Sequence, residues 1–231
     1  MKWFISGIVL SLVHFFSRCF YRVHVTWVHP LVGDPWKALA KSHLRVIVFL
    51  NHTSLFEPVL LGGVPYHFLW MMAGKLLVPG ADKTLKRPLV GTFYKLLTPA
   101  TIPISRKRDG TWESFLSLIA KDTIVMLAPE GRMMRRNGLD SRGQPMSIRG
   151  GVADILNVIP EGKMLICYSG GIHHIQAPGD RFPRLFQSAA IRYEVVDIPE
   201  YRKLLSERPE PFKMAVVRDL EARMKQHIPR S

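Results

Sequence analysis

A buried strand followed by two side chains suited to proton transfer is the pattern in the stretch Val46-Ile47-Val48-Phe49-Leu50-Asn51-His52-Thr53-Ser54-Leu55-Phe56-Glu57-Pro58. Its first five residues are apolar and rich in β-branched side chains, which predicts a buried strand over 44–50. His52 follows where that strand ends, and imidazole is the side chain best suited to accept a proton near neutral pH. A carboxylate such as Glu57 orients an imidazole and stabilises its protonated form.

Whether these two side chains meet depends on where the next helix begins. On a continuous helix, five residues would turn them about 140° apart, because each residue advances by ~100°. Pairing therefore requires that His52 precede a helix over Ser54 to about Leu61, with Thr53 or Ser54 as N-cap and Glu57 in the first turn. Spacing alone also fits a simpler interpretation, in which His52 only ends a strand and Glu57 only favours the helix start through the helix dipole.

Strand patterns alternate with helix patterns along the rest of the chain. The predicted strands are 21–28, 44–50, 68–72, 101–105, 123–128, 164–168 and 189–196. The predicted helices are 35–42, 54–61, 88–97, 111–120, 151–158 and 211–227, and 129–147 is predicted to be a long basic loop. This alternation predicts an α/β fold with a mostly parallel central sheet flanked by helices. Without an internal repeat or a linker, residues 21–231 are predicted to form a single domain.

The excess of basic over acidic residues indicates an anionic binding partner. The 231 residues carry a formal net charge of +14, and such a surface attracts nucleic acid, anionic lipid head groups or a phosphorylated substrate. The two cysteines, Cys19 and Cys167, form no CxxC pair and no disulfide framework, which is typical of a reducing compartment. The adjacent His173 and His174 do not share a helix face, so no metal site is predicted.

The N-terminal segment 1–20 predicts an apolar, membrane-associated helix. Residues 3–16 are apolar except for Ser6, Ser11 and His14, and this run is shorter than the ~20 residues that span a bilayer. The following residues make a poor signal-peptide cleavage site. We therefore interpret the segment as an uncleaved helix in one leaflet, on the cytoplasmic face, with Trp3, Arg18 and Arg22 at head-group level. A buried core helix is the alternative.

Two further polar groups follow predicted strands. Arg106 ends the strand 101–105, and a strand-end guanidinium there is able to contact a phosphate over the sheet edge that carries His52. Pro129-Glu130-Gly131-Arg132 directly follows the strand 123–128. Taken alone, Glu-Gly-Arg is a common turn sequence with no necessary role.

In this order, these motifs resemble those of the glycerolipid acyltransferases, the family of 1-acylglycerol-3-phosphate acyltransferases, over about residues 40–200. Asn51-His52, four residues and Glu57 resemble the first motif, in which the acid is usually aspartate. Ala100-Thr101-Ile102-Pro103-Ile104-Ser105-Arg106 resembles the second, with alanine in place of glycine. Lys75 and the turn Pro88-Leu89-Val90-Gly91 are similar to the segment that connects these two motifs.

The third and fourth motifs depart further from the family pattern. Pro129-Glu130-Gly131-Arg132 is similar to the third motif, with Arg132 at the usual threonine position and Met133 at the usual arginine position. Residues 147–151 resemble the glycine-containing helix start that follows. Leu165-Ile166-Cys167-Tyr168-Ser169-Gly170 lies where the fourth motif is expected but lacks its proline.

The resemblance implies an acyltransferase that moves a fatty acyl group from acyl-CoA or acyl carrier protein to the free hydroxyl of a lysophospholipid. It implies His52 as general base and Glu57 as the group that orients it. The residues implied in binding the substrate phosphate are Arg106, Glu130, Gly131 and Arg132, with Asn51, Lys75 and Arg135 as additional candidates. Glu130 is expected to hold the neighbouring arginine or to accept from a substrate hydroxyl. No cofactor and no metal are implied.

Two other functions remain to be weighed. The departures from the family motifs also fit a non-catalytic peripheral lipid-binding protein that keeps the fold. Nucleic-acid binding fits the charge, but no recognition helix is evident and the apolar N-terminus would have no role, so no nucleic-acid partner is expected. The sequence contains no Gly-x-Ser-x-Gly elbow, no glycine-rich phosphate loop and no metal-ligand cluster.

Overall fold

A computed structural model describes residues 2–30, 33–98, 100–105 and 109–229. Within these residues seven strands form one sheet in the order β1-β7-β6-β2-β5-β3-β4. The strands are β1 Arg22–Trp27, β2 Leu44–Leu50, β3 Leu76–Ala81, β4 Ala100–Ile104, β5 Ile124–Leu127, β6 Lys163–Gly170 and β7 Ser188–Asp197. All neighbouring pairs are parallel except β6 and β7. The predicted mostly parallel α/β sheet is confirmed.

Helices cover both faces of this sheet. They are α1 Lys2–Phe20, α2 Pro35–Lys41, α3 Tyr66–Met72, α4 Asp82–Leu85, α5 Pro88–Leu97, α6 Thr111–Ser117, α7 Gly151–Val158, α8 Ile172–Ile175, α9 Ile198–Ser206 and α10 Phe212–His227, with a 3₁₀ helix at Glu57–Gly63. On β2, Val46, Val48 and Leu50 pack towards α7, α9 and α10, and Ile47 packs towards α1, α3 and the 3₁₀ helix. A strand covered on both faces reads as a continuous apolar run, which is why β2 stands out in the sequence.

Helix α1 contacts the rest of the protein through polar side chains and through Leu10, which is buried in the core. Ser6 donates to Leu97 O at 2.6 Å, His14 Nδ1 lies 2.9 Å from Leu61 O, and Ser17 donates to Val59 O. Large apolar side chains lie on the exposed face, among them Trp3 (55% exposed) and Phe15 (54%). The helix is therefore not a buried core helix. Its bounds, Lys2–Phe20, agree with the predicted segment 1–20, and its stretch Trp3–Phe20 is long and apolar enough to cross a membrane by length and composition.

One strand prediction is wrong, and one strand was not predicted. Residues 68–72 lie in helix α3, because Pro65 begins the helix and Phe68, Leu69 and Met72 then share its buried face. The strand β3 lies just after it and contains Pro79 and Gly80, which are poor strand formers and conceal it from the sequence pattern. Helices α4, α8 and α9 were also not predicted.

The helix after β2 begins later than predicted. It is the 3₁₀ helix Glu57–Gly63, preceded by Phe56, and neither Thr53 nor Ser54 caps it. Ser54 Oγ instead accepts from Phe56 N and donates to Gln176 Oε1, each at 3.0 Å. These bonds order the turn between β2 and the 3₁₀ helix. Glu57 is the first residue of that helix, so it still lies in the first turn as predicted.

Candidate active site

His52 and Glu57 form a hydrogen-bonded pair at the carboxyl end of β2. His52 Nδ1 lies 2.7 Å from Glu57 Oε2, and Thr53 N donates to Glu57 Oε1 at 3.0 Å. Because His52 precedes the 3₁₀ helix and Glu57 opens it, the carboxylate reaches back to the imidazole. Both oxygens of Glu57 are engaged at good distances, so the longer side chain is accommodated where the family usually has aspartate.

The pair sets the protonation properties of His52. Burial lowers the pKa of His52, but the charge and hydrogen bond of Glu57, with the charge of Glu130, outweigh burial and raise it above its ordinary value. Since Nδ1 faces a carboxylate, neutral His52 carries its proton on Nδ1. Its Nε2 is then the unprotonated nitrogen, which is the atom able to accept a proton from a substrate.

Glu130 supports the backbone of this site from beneath. It is 1% exposed, and its two carboxylate oxygens accept from Asn51 N and His52 N, each at 2.7 Å. Burial raises its pKa, and the two backbone hydrogen bonds oppose that shift. Both oxygens accept from backbone N–H groups, so this geometry does not support the expected contact of Glu130 with an arginine or a substrate hydroxyl, and that contact stays a prediction. Glu130 joins the end of β5 to the end of β2.

Asn51 fixes the same strand end on the other side. Its φ of 70° is a left-handed conformation that asparagine adopts more readily than most residues. Asn51 Nδ2 donates to Ser169 O at 2.7 Å, and Ser169 Oγ donates to Asn51 O at 3.0 Å. Asn51 is therefore a positioning residue that ties β2 to β6, and its predicted contact with the substrate phosphate is not supported by this geometry.

Arg132 is bound within its own loop. Its Nη1 donates to Asp140 Oδ2 at 2.6 Å, and Nη2 donates to Ser147 Oγ at 3.1 Å. The backbone hydrogen bonds to Asp140, together with Arg132, lower the pKa of that carboxyl to about 2. The structure thus gives the guanidinium of Arg132 a structural partner instead of placing it over the site. The loop itself reaches the site, because Met134 N donates to His52 O at 2.9 Å.

The remaining predicted phosphate contacts lie at different places. Arg106 lies outside the described residues, although the strand before it ends at the same sheet edge as β2. Lys75 is exposed before β3, at the opposite edge and about 20 Å from the end of β2 at ~3.3 Å per residue. Parallel strands put a residue before one strand far from a residue after another, so this geometry does not bring Lys75 to the pair, and its contact with the phosphate stays a prediction without structural support. Arg135 is exposed on the loop, and Gly131 lines the cavity described next.

An apolar cavity of about 270 Å³ has the pair in its lining. His52, Glu57 and Gly131 line it together with apolar side chains that include Leu10, Met72 and Leu76. Tyr94 also lines it and donates to Leu55 O at 2.9 Å. Burial and the charge of Glu57 raise the pKa of Tyr94, so its hydroxyl remains a donor. Nothing in the sequence marks Tyr94 or Gln176 as neighbours of the site.

The arrangement is suited to proton transfer beside an apolar chain. Within the described ranges no group of three His, Cys, Asp or Glu side chains converges on a possible metal position. Cys167 is 1% exposed in β6, and burial raises the pKa of its thiol, so it is not a reactive nucleophile.

Comparison with known proteins places the chain in a family. A comparison with curated protein sequences returns no match. The crystal structure of the 1-acyl-sn-glycerophosphate acyltransferase PlsC from Thermotoga maritima has a similar fold, with a TM-score of 0.52 and 16% sequence identity, over 96% of this chain and 81% of that one. The family model named Acyltransferase matches residues 37–167, which is more than half of the sequence and includes the His52–Glu57 pair. The chain therefore belongs to the acyltransferase family.

Proposed function

We propose that this acyltransferase transfers a fatty acyl group from a thioester, acyl-CoA or acyl carrier protein, to the free hydroxyl of a lysophosphatidate-like lysophospholipid. The observation that carries the proposal is the 2.7 Å contact between His52 Nδ1 and Glu57 in the lining of the apolar cavity. A general base beside a space for a hydrocarbon chain is what acyl transfer to a hydroxyl requires.

In this mechanism His52 Nε2 removes the proton from the acceptor hydroxyl as its oxygen attacks the thioester carbonyl. The new C–O bond forms, the C–S bond breaks, and the imidazolium returns its proton to the leaving thiolate. Glu57 stabilises the imidazolium between these two proton transfers. The acyl group passes directly to the acceptor, so no serine or cysteine nucleophile takes part.

The acceptor's phosphate needs a cation near the pair. Arg132 already binds Asp140, so Arg106 is the guanidinium that we assign to the phosphate, on the strength of its position in the second motif and of the strand end that precedes it. The net charge of +14 adds a general attraction for anionic substrates, including acyl-CoA and acyl carrier protein.

We propose that α1 lies in the membrane interface on the cytoplasmic face. Its three side-chain hydrogen bonds to the rest of the protein fix one side of the helix, and its exposed side is apolar. A helix that crossed the bilayer would have to break these contacts, whereas an interfacial helix keeps them. This position brings the site to the leaflet that contains lysolipid.

Replacement of His52 by Ala tests the mechanism. We expect thiol release from acyl-CoA in the presence of lysophosphatidate to fall by about 10²–10⁴-fold, the range of general base catalysis, with vesicle binding unchanged. His67→Ala is the matched control, because His67 is exposed on α3 and away from the pair. Near-normal turnover by the His52 variant would exclude the mechanism. Vesicle binding without thiol release by the wild type would identify a non-catalytic lipid-binding protein.

A further inference from the structure

A second apolar space lies on the other side of the segment that carries the pair. It is a groove of about 360 Å³ between α1, α5 and the loop 182–187 that precedes β7. Leu55 and Pro58 line both this groove and the cavity that contains His52. Leu55 is three residues after His52, and Pro58 follows Glu57 directly. The groove and the cavity are therefore separated by the turn that holds the pair.

The groove is suited to a hydrocarbon chain and to no polar group. Its lining is apolar apart from Ser17 and Tyr21. The hydroxyl of Ser17 already donates to Val59 O, and burial raises the pKa of Tyr21, so no ionised group faces the space. A head group placed here would lose its hydration without gaining partners.

The rim of the groove is exposed and apolar. Phe16 is 54% exposed on α1, Phe182 and Phe186 are 71% and 73% exposed on the loop, and Leu89, one turn from Phe93 on α5, is 86% exposed. Phe186 N donates to Phe20 O at 2.8 Å, which holds the loop against α1. Exposed aromatic side chains from separate elements that surround one opening are typical of a surface that contacts lipid.

Basic residues flank this apolar rim. Among the described residues, the exposed arginines next to it are Arg18, Arg22, Arg181 and Arg184. Apolar side chains surrounded by arginines fit a bilayer interface, in which the rings enter the acyl region and the guanidinium groups contact lipid phosphates. The groove thus opens towards the compartment in which a lysolipid resides.

Acyl transfer between a lipid and a fatty acyl thioester brings two hydrocarbon chains to one base. We propose, on the basis of the proposed function, that the groove binds the hydrocarbon chain of the lysolipid acceptor, which enters sideways from the bilayer between α1, α5 and the loop 182–187. The donor's acyl chain occupies the cavity that His52 and Glu57 line. The two chains then approach the pair from opposite sides of Leu55 and Pro58, and the acceptor does not have to leave the membrane completely.

Filling the groove tests this assignment. Val13 lines the groove and is half-buried, whereas its neighbour Leu12 is 50% exposed and does not line it. We expect Val13→Trp to raise the KM for a long-chain lysophosphatidate at least tenfold, measured below the concentration at which this lipid forms micelles. The reason is that each methylene of the lipid chain that the Trp side chain keeps out of the groove weakens binding by up to about fourfold. The KM for a hexanoyl lysophosphatidate should be unchanged, and Leu12→Trp should behave as wild type with both acceptors.

Several outcomes would overturn the assignment. One is an equal rise in KM for long-chain and short-chain acceptors in the Val13→Trp variant. Another is that this variant changes the preferred length of the donor's acyl chain and leaves the preference for acceptor chain length unchanged. If the wild type transfers an acyl group to neither acceptor, the proposed function itself is wrong. That result is distinct from the two outcomes that overturn only the assignment of the groove.

Photolabelling provides a second test that does not depend on the folding of a variant. A lysophosphatidate with a diazirine near its terminal methyl group, bound to the wild-type protein in vesicles, should label the groove segments that contain Phe93 and Leu185. Labelling only of the cavity segment that contains Met72 and Leu76 would contradict the proposal.

Discussion

Replacing Glu130 by Gln removes one charge from beneath the active-site turn and changes little else in shape. Hydrogen bonds to a charged acceptor contribute about 1.5–3 kcal/mol each, and Glu130 makes two, to Asn51 N and His52 N. Gln offers one oxygen and one NH₂ group, so one backbone N–H keeps a neutral bond and the other faces a donor. The burial cost of the carboxylate, which raises its pKa, offsets part of the loss. We expect the free energy of unfolding to fall by about 2–3 kcal/mol.

The same variant should lower kcat more than it changes KM. If the unpaired N–H pushes the His52 backbone away by about 1 Å, the base is misplaced and turnover should fall by about 100-fold. Urea unfolding and steady-state thiol release measure the two effects. Glu113→Gln is the matched control, because Glu113 is exposed on α6. An unchanged free energy of unfolding together with a large rise in KM would refute the reasoning and indicate that Glu130 contacts substrate directly.

Two further predictions follow from the site. Because the pKa of His52 is raised above its ordinary value of 6.5, kcat/KM should rise with pH through a limb above pH 6.5, as neutral imidazole forms. Glu57→Gln removes the charge that raises the pKa of His52 against the lowering effect of burial. The limb should therefore move to lower pH, and the maximal rate should fall. A limb at the same pH would show that another group titrates. Lys75→Ala should leave kcat and KM unchanged in the same assay, since Lys75 lies at the opposite edge of the sheet, and a tenfold rise in KM for lysophosphatidate would contradict that placement.

The strands and helices that could be predicted are those in which burial produces a recognisable pattern of apolar residues within the element itself. Strand β2 is apolar on both faces and α7 has one apolar side, so each appears in the sequence near its observed bounds. Residues 68–72 were misread because a short apolar run fits a strand and a helix equally well. The helix is favoured over a strand because Pro65 begins it and because its apolar face packs against α1 and β2, which lie elsewhere in the chain.

The candidate site divides in the same way. The pairing of His52 with Glu57 could be anticipated, because it depends on six consecutive positions and on one turn. The role of Glu130 could not, since its partners Asn51 and His52 lie 79 and 78 positions away. The contact of Arg132 with Asp140 could not be anticipated either, because Asp140 becomes a neighbour only when the loop folds back on itself.

The amino-acid order alone determined the α/β class, the apolar first helix and the position of a base at a strand end, because each is recorded in side chains that are close in the chain. Only the tertiary structure decided that Glu130 supports the turn, that Lys75 is remote, and that two apolar spaces flank the pair. These features depend on which strand ends meet at one edge of the sheet, and long-range strand pairing brings those ends together.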